Sequence, residues 1–253
     1  MIRIMTLVSL STGIACAQTI QELTTAEQFK SRGGTLLYRQ HITPDIPKGK
    51  RVPLVLFLHG MGERGDDNIS QTKHGVLPLI KYADANGGAV IIAPQCPKDD
   101  FWKRNNENGG SQARPNDPSA IMLRVLALIE EKKKTLPVDP NRIYITGLSM
   151  GGHGTWDVIQ RRPSAFAAAI PICGGGDPTK ASAIKNIPIW IFHGDADATV
   201  AVTYSREMEA ALKKYKGNVR YTEYPKVEHD SWTRTYADTE VLDWLFSQKR
   251  SQR

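Results

Sequence analysis

The chain has 253 residues, of which 40% are hydrophobic and 23% are charged, and it carries a formal net charge of +7. These proportions are those of a globular protein and exclude an intrinsically disordered chain. The basic residues are scattered along the sequence, which favours a solvated basic surface over a nucleic-acid interface. We therefore predict no nucleic-acid partner.

The amino-terminal residues have the pattern of a secretory signal peptide. An apolar stretch over residues 4–15 leads into small residues and is too short to span a membrane. We predict cleavage after Ala17, a mature chain of residues 18–253 that forms one domain, and a secreted or periplasmic location. Lipidation of Cys16 is the alternative, although Gly13 stands where a leucine would be expected. No later stretch is apolar enough for stable membrane insertion.

Apolar runs bounded by turn residues alternate with helical patterns through the rest of the chain. This order predicts an α/β fold with a mostly parallel sheet and helices on both faces. Several runs are apolar at every position, as expected for strands buried on both sides. The predicted strands are 35–41, 54–59, 89–93, 143–146, 167–172, 189–193 and 220–225.

Four helices are predicted between and after these strands. The first has Asp117 as its N-cap with proline at the first helical position, and Pro137 lies at its end. The second begins directly after Ser149, and the last two cover residues 205–214 and 239–248.

Residues 98–116 form a polar segment of nineteen residues between a strand and a helix. Loops of this length within a compact domain are usually functional or disordered. Two adjacent aromatic residues at 101 and 102 favour function here.

Two cysteines, Cys96 and Cys173, remain after the predicted cleavage. Export permits a disulfide, but each cysteine follows a different predicted strand. We favour two free, partly buried thiols. The spacing of the histidines suggests no metal site, and we predict neither a metal nor a cofactor.

A serine lies between two glycines where an apolar strand pattern changes to a helical one. Ser149 occupies the G-x-S-x-G sequence "GLSMG", which in a strand–turn–helix context is typical of a nucleophile elbow. Side chains at Gly147 and Gly151 would collide with neighbouring backbone in so tight a turn. The amides of the following helix would face developing negative charge. The motif alone is weak, and its flanking patterns favour a nucleophile.

A serine nucleophile needs an acid and a histidine downstream, in that order. Asp197 follows the predicted strand 189–193 at the spacing H-G-x-x-D-x-x-V and is the favoured acid. Asp195 is the alternative, but it is also suited to capping a turn. His229 is the one histidine beyond this acid, and we predict that it is the base rather than a surface side chain.

Two main-chain amides are needed to hold an oxyanion. The amide of Met150 follows the serine directly, and the amide of Met61 lies in the glycine-rich loop "HGMGERGDDN". That loop could also be a plain turn. His59 and His193 each end an apolar strand before a glycine, and we expect both to fix loops.

The motifs together resemble those of α/β-hydrolases. More narrowly, they resemble secreted bacterial carboxylesterases of the dienelactone hydrolase, feruloyl esterase and polyhydroxybutyrate depolymerase type, which are also similar to prolyl oligopeptidase catalytic domains. The matching stretches are "LFLHGMGERGDDN", "IIAPQCP", "IYITGLSMGGHGTW", "PICGGGD", "IFHGDADATV" and "HDSW". The resemblance implies an α/β-hydrolase fold without a large lid domain, and it assigns the triad to Ser149, Asp197 and His229.

The resemblance also implies that Met61 and Met150 supply the oxyanion amides and that Trp102 and Trp232 line the substrate pocket. For Trp232, the alternative is a wedge that holds the loop of His229.

The expected activity is hydrolysis of short-chain or aromatic esters, such as feruloyl or acetyl esters, on small molecules or polysaccharide. A serine peptidase, a polyester depolymerase and a non-catalytic polysaccharide-binding protein are the alternatives. A dedicated peptidase would carry an additional domain, and a binding protein would lack one member of the triad.

Overall fold

The computed structural model describes residues 18–103 and 117–250. These residues form an eight-stranded sheet in the order β1-β2-β4-β3-β5-β6-β7-β8. Strand β2 runs antiparallel to β1 and β4, and the neighbours from β4 to β8 are parallel. The strands are β1 (Thr25–Ser31), β2 (Gly34–Ile42), β3 (Val52–Leu58), β4 (Val90–Pro94), β5 (Val138–Leu148), β6 (Ala168–Ile172), β7 (Ile189–Gly194) and β8 (Val219–Tyr224).

Strand β3 shows how the sheet builds its core. All its residues are buried, because helices cover the sheet on both sides. Since successive side chains of a strand point to opposite faces, Leu54, Leu56 and Leu58 belong to one hydrophobic cluster and Val55 and Phe57 to the other.

The helices divide between these two faces. Helices α3, α4, α5 and α6 contribute buried residues to the cluster of Leu56, and helices α2, α7 and α8 contribute to the cluster of Phe57. The helices are α1 (Ile20–Leu23), α2 (Val76–Ala85), α3 (Ala120–Thr135), α4 (Met150–Arg161), α5 (Ala181–Ile184), α6 (Thr203–Lys214), α7 (Trp232–Ala237) and α8 (Thr239–Ser247).

The predicted fold class is confirmed, with differences in detail. Strand β1 and helices α1, α2, α5 and α7 were not predicted. In addition, the N-cap of α3 is Ser119 and not Asp117, because the Ser119 hydroxyl accepts a hydrogen bond from the Met122 amide over 3.1 Å. The connection from β6 to β7 holds only a 3-10 turn and the four-residue helix α5, so no large lid is inserted there.

Two sequence-based predictions fall outside the described residues. The predicted signal peptide occupies residues 1–17, and residues 104–116 make up most of the polar segment. Within the described part of the chain, no helix combines the length and apolar character that crossing a membrane requires.

Candidate active site

Ser149 lies in a strained turn between β5 and α4. Its backbone angles are φ 53° and ψ −115°, a conformation that non-glycine residues rarely adopt. The Ser149 amide donates to the Ile172 carbonyl over 3.0 Å, which ties the turn to the end of β6. Such strain persists only where the surrounding structure enforces it, and here it sets the position of one hydroxyl.

The glycines on either side of Ser149 permit close backbone contacts. A Cβ added at Gly147 would lie 2.5 Å from the Gly151 carbonyl oxygen. A Cβ at Gly151 would overlap the carbonyl oxygen of Leu58. Helix α4 can therefore start against the end of β3 only if both positions are glycine.

His229 follows β8 and contacts both other predicted triad residues. Its Nε2 lies 2.9 Å from Ser149 Oγ, and its Nδ1 lies 2.7 Å from Asp197 Oδ2. The loop that carries His229 packs on the end of β7, where a Cβ at Gly194 would overlap the Val227 carbonyl oxygen. The structure thus brings together three side chains that are far apart in sequence.

Asp197 is held as a carboxylate by its hydrogen bonds. Its Oδ1 accepts from the amides of Thr199 and Val200 over 2.8 and 2.9 Å. Burial by itself would raise the pKa of Asp197, but the hydrogen bonds from His229, Val200 and Thr199 outweigh it and lower that pKa. A charged Asp197 keeps a proton on Nδ1 of His229, which leaves Nε2 free to accept the proton of Ser149.

Asp195 takes no part in this cluster. Its side chain is exposed, and Oδ1 accepts a hydrogen bond from the Lys226 amide over 2.6 Å. Asp195 therefore stabilises the turn that follows β8. This is the turn-capping role for which its sequence position is also suited.

His193 is a second imidazole on Asp197. Its Nε2 lies 3.1 Å from Asp197 Oδ2 and 3.0 Å from the Val200 carbonyl oxygen, and its Nδ1 lies 2.7 Å from Ser205 Oγ. Burial lowers the pKa of His193, so the ring is neutral. Because Nε2 faces two acceptors, it carries the proton, and Nδ1 accepts from the Ser205 hydroxyl.

The two predicted oxyanion amides occupy equivalent positions. Met61 is the first residue of a 3-10 turn after β3, and Met150 is the first residue of α4. First-turn amides have no acceptor inside their own helix. Among the main-chain bonds of the described residues, neither amide donates to a carbonyl.

His59 fixes the orientation of the Met61 amide. Its Nδ1 donates to the Gly60 carbonyl over 2.6 Å, and its Nε2 accepts from the Cys96 amide over 2.9 Å. Burial lowers the pKa of His59 to about 4, so the ring is neutral. Because the peptide group is planar and trans, fixing the Gly60 carbonyl also points the Met61 N–H the opposite way.

The prediction that Trp102 lines the substrate pocket is wrong. The side chain is completely buried, and its Nε1 donates to the His59 carbonyl over 3.0 Å. A Cβ at Gly154 would lie 2.6 Å from Trp102 Cβ, so the residue packs on helix α4. The indole turns inward because it finds a hydrogen-bond acceptor there, and it supports the loop after β3 from behind.

Trp232 lies beside the base at the start of α7. Its ring meets the His229 ring edge-on, with 5.2 Å between centroids and 86° between planes, and it also contacts His74 at 5.6 Å. These contacts support the alternative that Trp232 wedges the His229 loop in place. The residue is only half-buried, and a role in the substrate pocket stays a prediction.

The two described cysteines are unbonded and buried. Ligand atoms of Cys173, Asp197 and His229 lie within 4.8 Å of one another, which is close enough for a metal site. However, burial raises the pKa of the Cys173 thiol to about 12, and Asp197 and His229 are already hydrogen-bonded to each other. This donor set does not fit a metal ion well, since a thiol must be deprotonated to bind one.

Glu63 also lies at this site, and the sequence analysis did not identify it. It ends the 3-10 turn that starts at Met61, is only 7% exposed, and has Oε1 3.7 Å from Nε2 of His74. The available signal was an acidic residue inside a glycine-rich loop, three positions after Gly60.

Comparisons with known proteins agree with this fold. A family model described as Phospholipase/Carboxylesterase matches residues 45–241. A solved thermostable esterase superposes with a TM-score of 0.84 at 40% sequence identity, covering 90% of this chain and 64% of that one. These findings confirm the α/β-hydrolase resemblance.

Two curated relatives are also esterases by name. The chain is 30% identical over 179 residues to "Putative esterase NocK" of Nocardia uniformis subsp. tsuyamanensis, covering 69% of this chain and 48% of the relative. It is 25% identical over 193 residues to "Bifunctional acetylxylan esterase/xylanase XynS20E" of Neocallimastix patriciarum, covering 72% of this chain and 25% of the relative. The chain thus spans less than half the length of either relative.

Proposed function

Because the chain belongs to the phospholipase/carboxylesterase family of α/β-hydrolases, we propose that it hydrolyses carboxylic esters through an acyl intermediate on Ser149. One observation carries the proposal. Ser149 Oγ, the His229 ring and Asp197 form a continuous hydrogen-bonded chain, with lengths of 2.9 and 2.7 Å. That chain is the arrangement that activates a serine hydroxyl for acyl transfer.

In the first half of the reaction, Ser149 Oγ attacks the ester carbonyl and its proton passes to Nε2 of His229. The Asp197 carboxylate stabilises the imidazolium that forms. His229 then gives the same proton to the departing alcohol, and the acyl group remains on Ser149. In the second half, a water molecule attacks the acyl carbonyl and loses a proton to His229. His229 then returns that proton to Ser149 Oγ as the bond to the acyl group breaks and the acid leaves.

The amides of Met61 and Met150 are proposed to hold the oxyanion in both halves. Their position at the start of a 3-10 turn and of α4 supports this, since first-turn amides are unpaired, and the Met150 amide also lies at the positive end of the α4 dipole. Oxyanion donors of this kind typically contribute a factor of about 100 to 1000 each in turnover.

The proposed substrates are short-chain or aromatic esters, including acetyl or feruloyl groups on polysaccharide. Three observations support this class. The β6–β7 connection carries no large lid that would shape a lipid-binding interface. One relative is named an acetylxylan esterase. The amino-terminal sequence is that predicted for an exported protein, which would meet such polymers outside the cell.

The test is a panel of substrates with the wild-type protein and Ser149→Ala. The panel holds short and long p-nitrophenyl esters, methyl ferulate, acetylated xylan, a poly(3-hydroxybutyrate) film and a prolyl-peptide amide. We expect hydrolysis of the short esters, and of methyl ferulate or acetylated xylan, and no hydrolysis by the alanine variant. Peptide or polyester cleavage that matches the ester rates would instead identify a peptidase or a depolymerase.

A further inference from the structure

Glu63 places a carboxylate beside the nucleophile. A Cβ added at Gly60 would lie 3.0 Å from Glu63 Oε2 and 3.8 Å from Ser149 Cβ. The carboxylate and the serine therefore both lie against the same point on the loop after β3. Glu63 itself is 7% exposed, so this charge is largely removed from water.

This carboxylate has no hydrogen-bond donor among the described residues. Its ion-pair partner is the His74 ring, whose Nε2 is 3.7 Å from Oε1, beyond hydrogen-bond range. Buried carboxylates in proteins are nearly always paired and hydrogen-bonded. Within the described residues, Glu63 therefore lacks the donors that a mostly buried carboxylate usually has.

The loop does not need the Glu63 side chain for its own structure. The Glu63 main-chain carbonyl accepts from Gln95 Nε2 over 3.1 Å, and Arg64 Nε donates to the Met61 carbonyl over 3.2 Å. Neither carboxylate oxygen is fully sealed from solvent, so a hydrogen-bond donor can reach the Glu63 side chain.

We propose that Glu63 is a substrate-recognition residue, whose carboxylate accepts a hydrogen bond from a hydroxyl group of the ester bound at Ser149. The inference rests on the proposed ester hydrolysis and adds a substrate class, namely esters that carry a hydroxyl near the scissile bond. Oε1 lies toward His74 and Oε2 lies toward Gly60, on the side of Ser149, so Oε2 is the oxygen that we assign to the substrate.

A neutral hydroxyl fits this position better than a charged group. His74 already places an imidazole ring 3.7 Å from Oε1, so a substrate ammonium would compete with it for the carboxylate. A negatively charged substituent would be repelled by Glu63 itself, since like charges in a partly dry site oppose each other strongly. A hydroxyl donates one hydrogen bond and avoids both conflicts.

The test compares kcat/KM for esters that differ by one hydroxyl. On the acyl side the pair is p-nitrophenyl 3-hydroxybutyrate and p-nitrophenyl butyrate. On the alcohol side the pair is 2-hydroxyethyl butyrate and propyl butyrate. The proteins are the wild type, Glu63→Leu, Glu63→Gln and the control Asp66→Asn, which removes an exposed charge from the same loop.

In at least one pair, we expect the wild type to prefer the hydroxylated ester by about tenfold to a hundredfold, the usual range for a hydrogen bond to a charged group. Glu63→Leu should bring that ratio close to one, and Glu63→Gln should give an intermediate ratio because it keeps a neutral acceptor. Asp66→Asn should keep the wild-type ratio. A circular dichroism spectrum of each variant shows whether it is folded.

Two results would overturn the inference while leaving the proposed ester hydrolysis intact. One is a wild-type protein that hydrolyses the butyrates with no hydroxyl preference in either pair. The other is a folded Glu63→Leu that keeps the wild-type ratio. A preference for p-nitrophenyl 3-aminobutyrate over both other acyl esters would also overturn it, in favour of an ammonium group. Failure to hydrolyse any ester would overturn both proposals.

Discussion

A 3.1 Å hydrogen bond joins His193 to Asp197, and the side chains of both residues are completely buried. The oxygen that accepts it, Oδ2, is the same one that contacts His229, while Oδ1 is held by two main-chain amides. Four donors therefore fix one carboxylate in a single orientation. The hydrogen bonds of His193 go to Asp197, Val200 and Ser205 and not to Ser149, so we regard it as a positioning residue.

Replacing His193 should reduce turnover without changing substrate binding. We expect His193→Leu to lower kcat by about tenfold, since losing one donor to a buried charge costs about 1.5–3 kcal/mol and the three remaining donors hold part of the geometry. KM for a p-nitrophenyl ester should stay near the wild-type value. Ser205→Ala removes only the hydroxyl that donates to Nδ1 of His193, and it should lower kcat less. A folded His193→Leu with wild-type kcat would contradict this role.

Asp197 and Asp195 offer a matched pair of substitutions two residues apart. Asp197→Asn should lower kcat by roughly 10⁴-fold near pH 7, the loss seen when an amide replaces a triad carboxylate and favours the wrong imidazole tautomer. Asp195→Asn should keep near-wild-type activity, because its carboxylate contacts only a turn amide. Steady-state kinetics on one aryl ester measures both. Equal losses in the two variants would remove Asp197 from its proposed role.

The close approach of α4 to β3 predicts that an alanine at Gly151 destabilises the fold far more than an alanine at Gly62. Gly151→Ala should destabilise the fold by about 3 kcal/mol or more, because the new Cβ would overlap the Leu58 carbonyl oxygen and neither backbone can easily move. Gly62→Ala is the control, since a Cβ there has no atom within 4 Å. Urea unfolding followed by fluorescence gives both free energies. A Gly151→Ala protein as stable as Gly62→Ala would contradict the packing described.

Stability should fall in mild acid because of His59. Its pKa is lowered to about 4 by burial, while the unfolded chain keeps the ordinary value near 6.5. Between these two pH values the unfolded state binds a proton that the folded state does not. The free energy of unfolding therefore falls by up to about 1.4 kcal/mol per pH unit below pH 6.5, with no contribution from His59 above that.

Urea unfolding at about pH 7 and about pH 5 measures this effect. A His59→Gln variant should lose less stability over the same interval, because glutamine does not titrate. His153, whose pKa burial also lowers to about 4, should continue to contribute in both proteins. An identical loss in the wild type and the variant would show that His59 does not carry the effect.

The contacts of the candidate site were foreseeable because each residue follows a strand of the sheet. Ser149 follows β5, Asp197 follows β7 and His229 follows β8, and the carboxyl ends of parallel strands share one edge of the sheet. The order of the strands along the chain and the local motifs were therefore sufficient to predict that these three residues meet. Strand β1 lacked any such signal, since every residue in it is exposed or half-buried and few are apolar.

Other features depended on contacts between distant parts of the chain. Trp102 is buried because its indole reaches the carbonyl of His59, a residue 43 positions away. The burial of Glu63 likewise depends on the packing of its loop against the elbow at Ser149. The sequence around Trp102 is polar and the sequence around Glu63 is rich in glycine, so both patterns suggested exposed loops. Neither pattern shows the distant part of the chain against which the residue packs.

Covalent labelling tests the central claim most directly, which is that Ser149 is the activated nucleophile. The protein is treated with a fluorophosphonate, its ester hydrolysis is followed, and the modified site is mapped by mass spectrometry of the tryptic peptide 143–161. We predict a single adduct on Ser149 that forms in proportion to the loss of activity. An adduct on another residue of the active protein, or full activity after Ser149 is completely modified, would contradict the account.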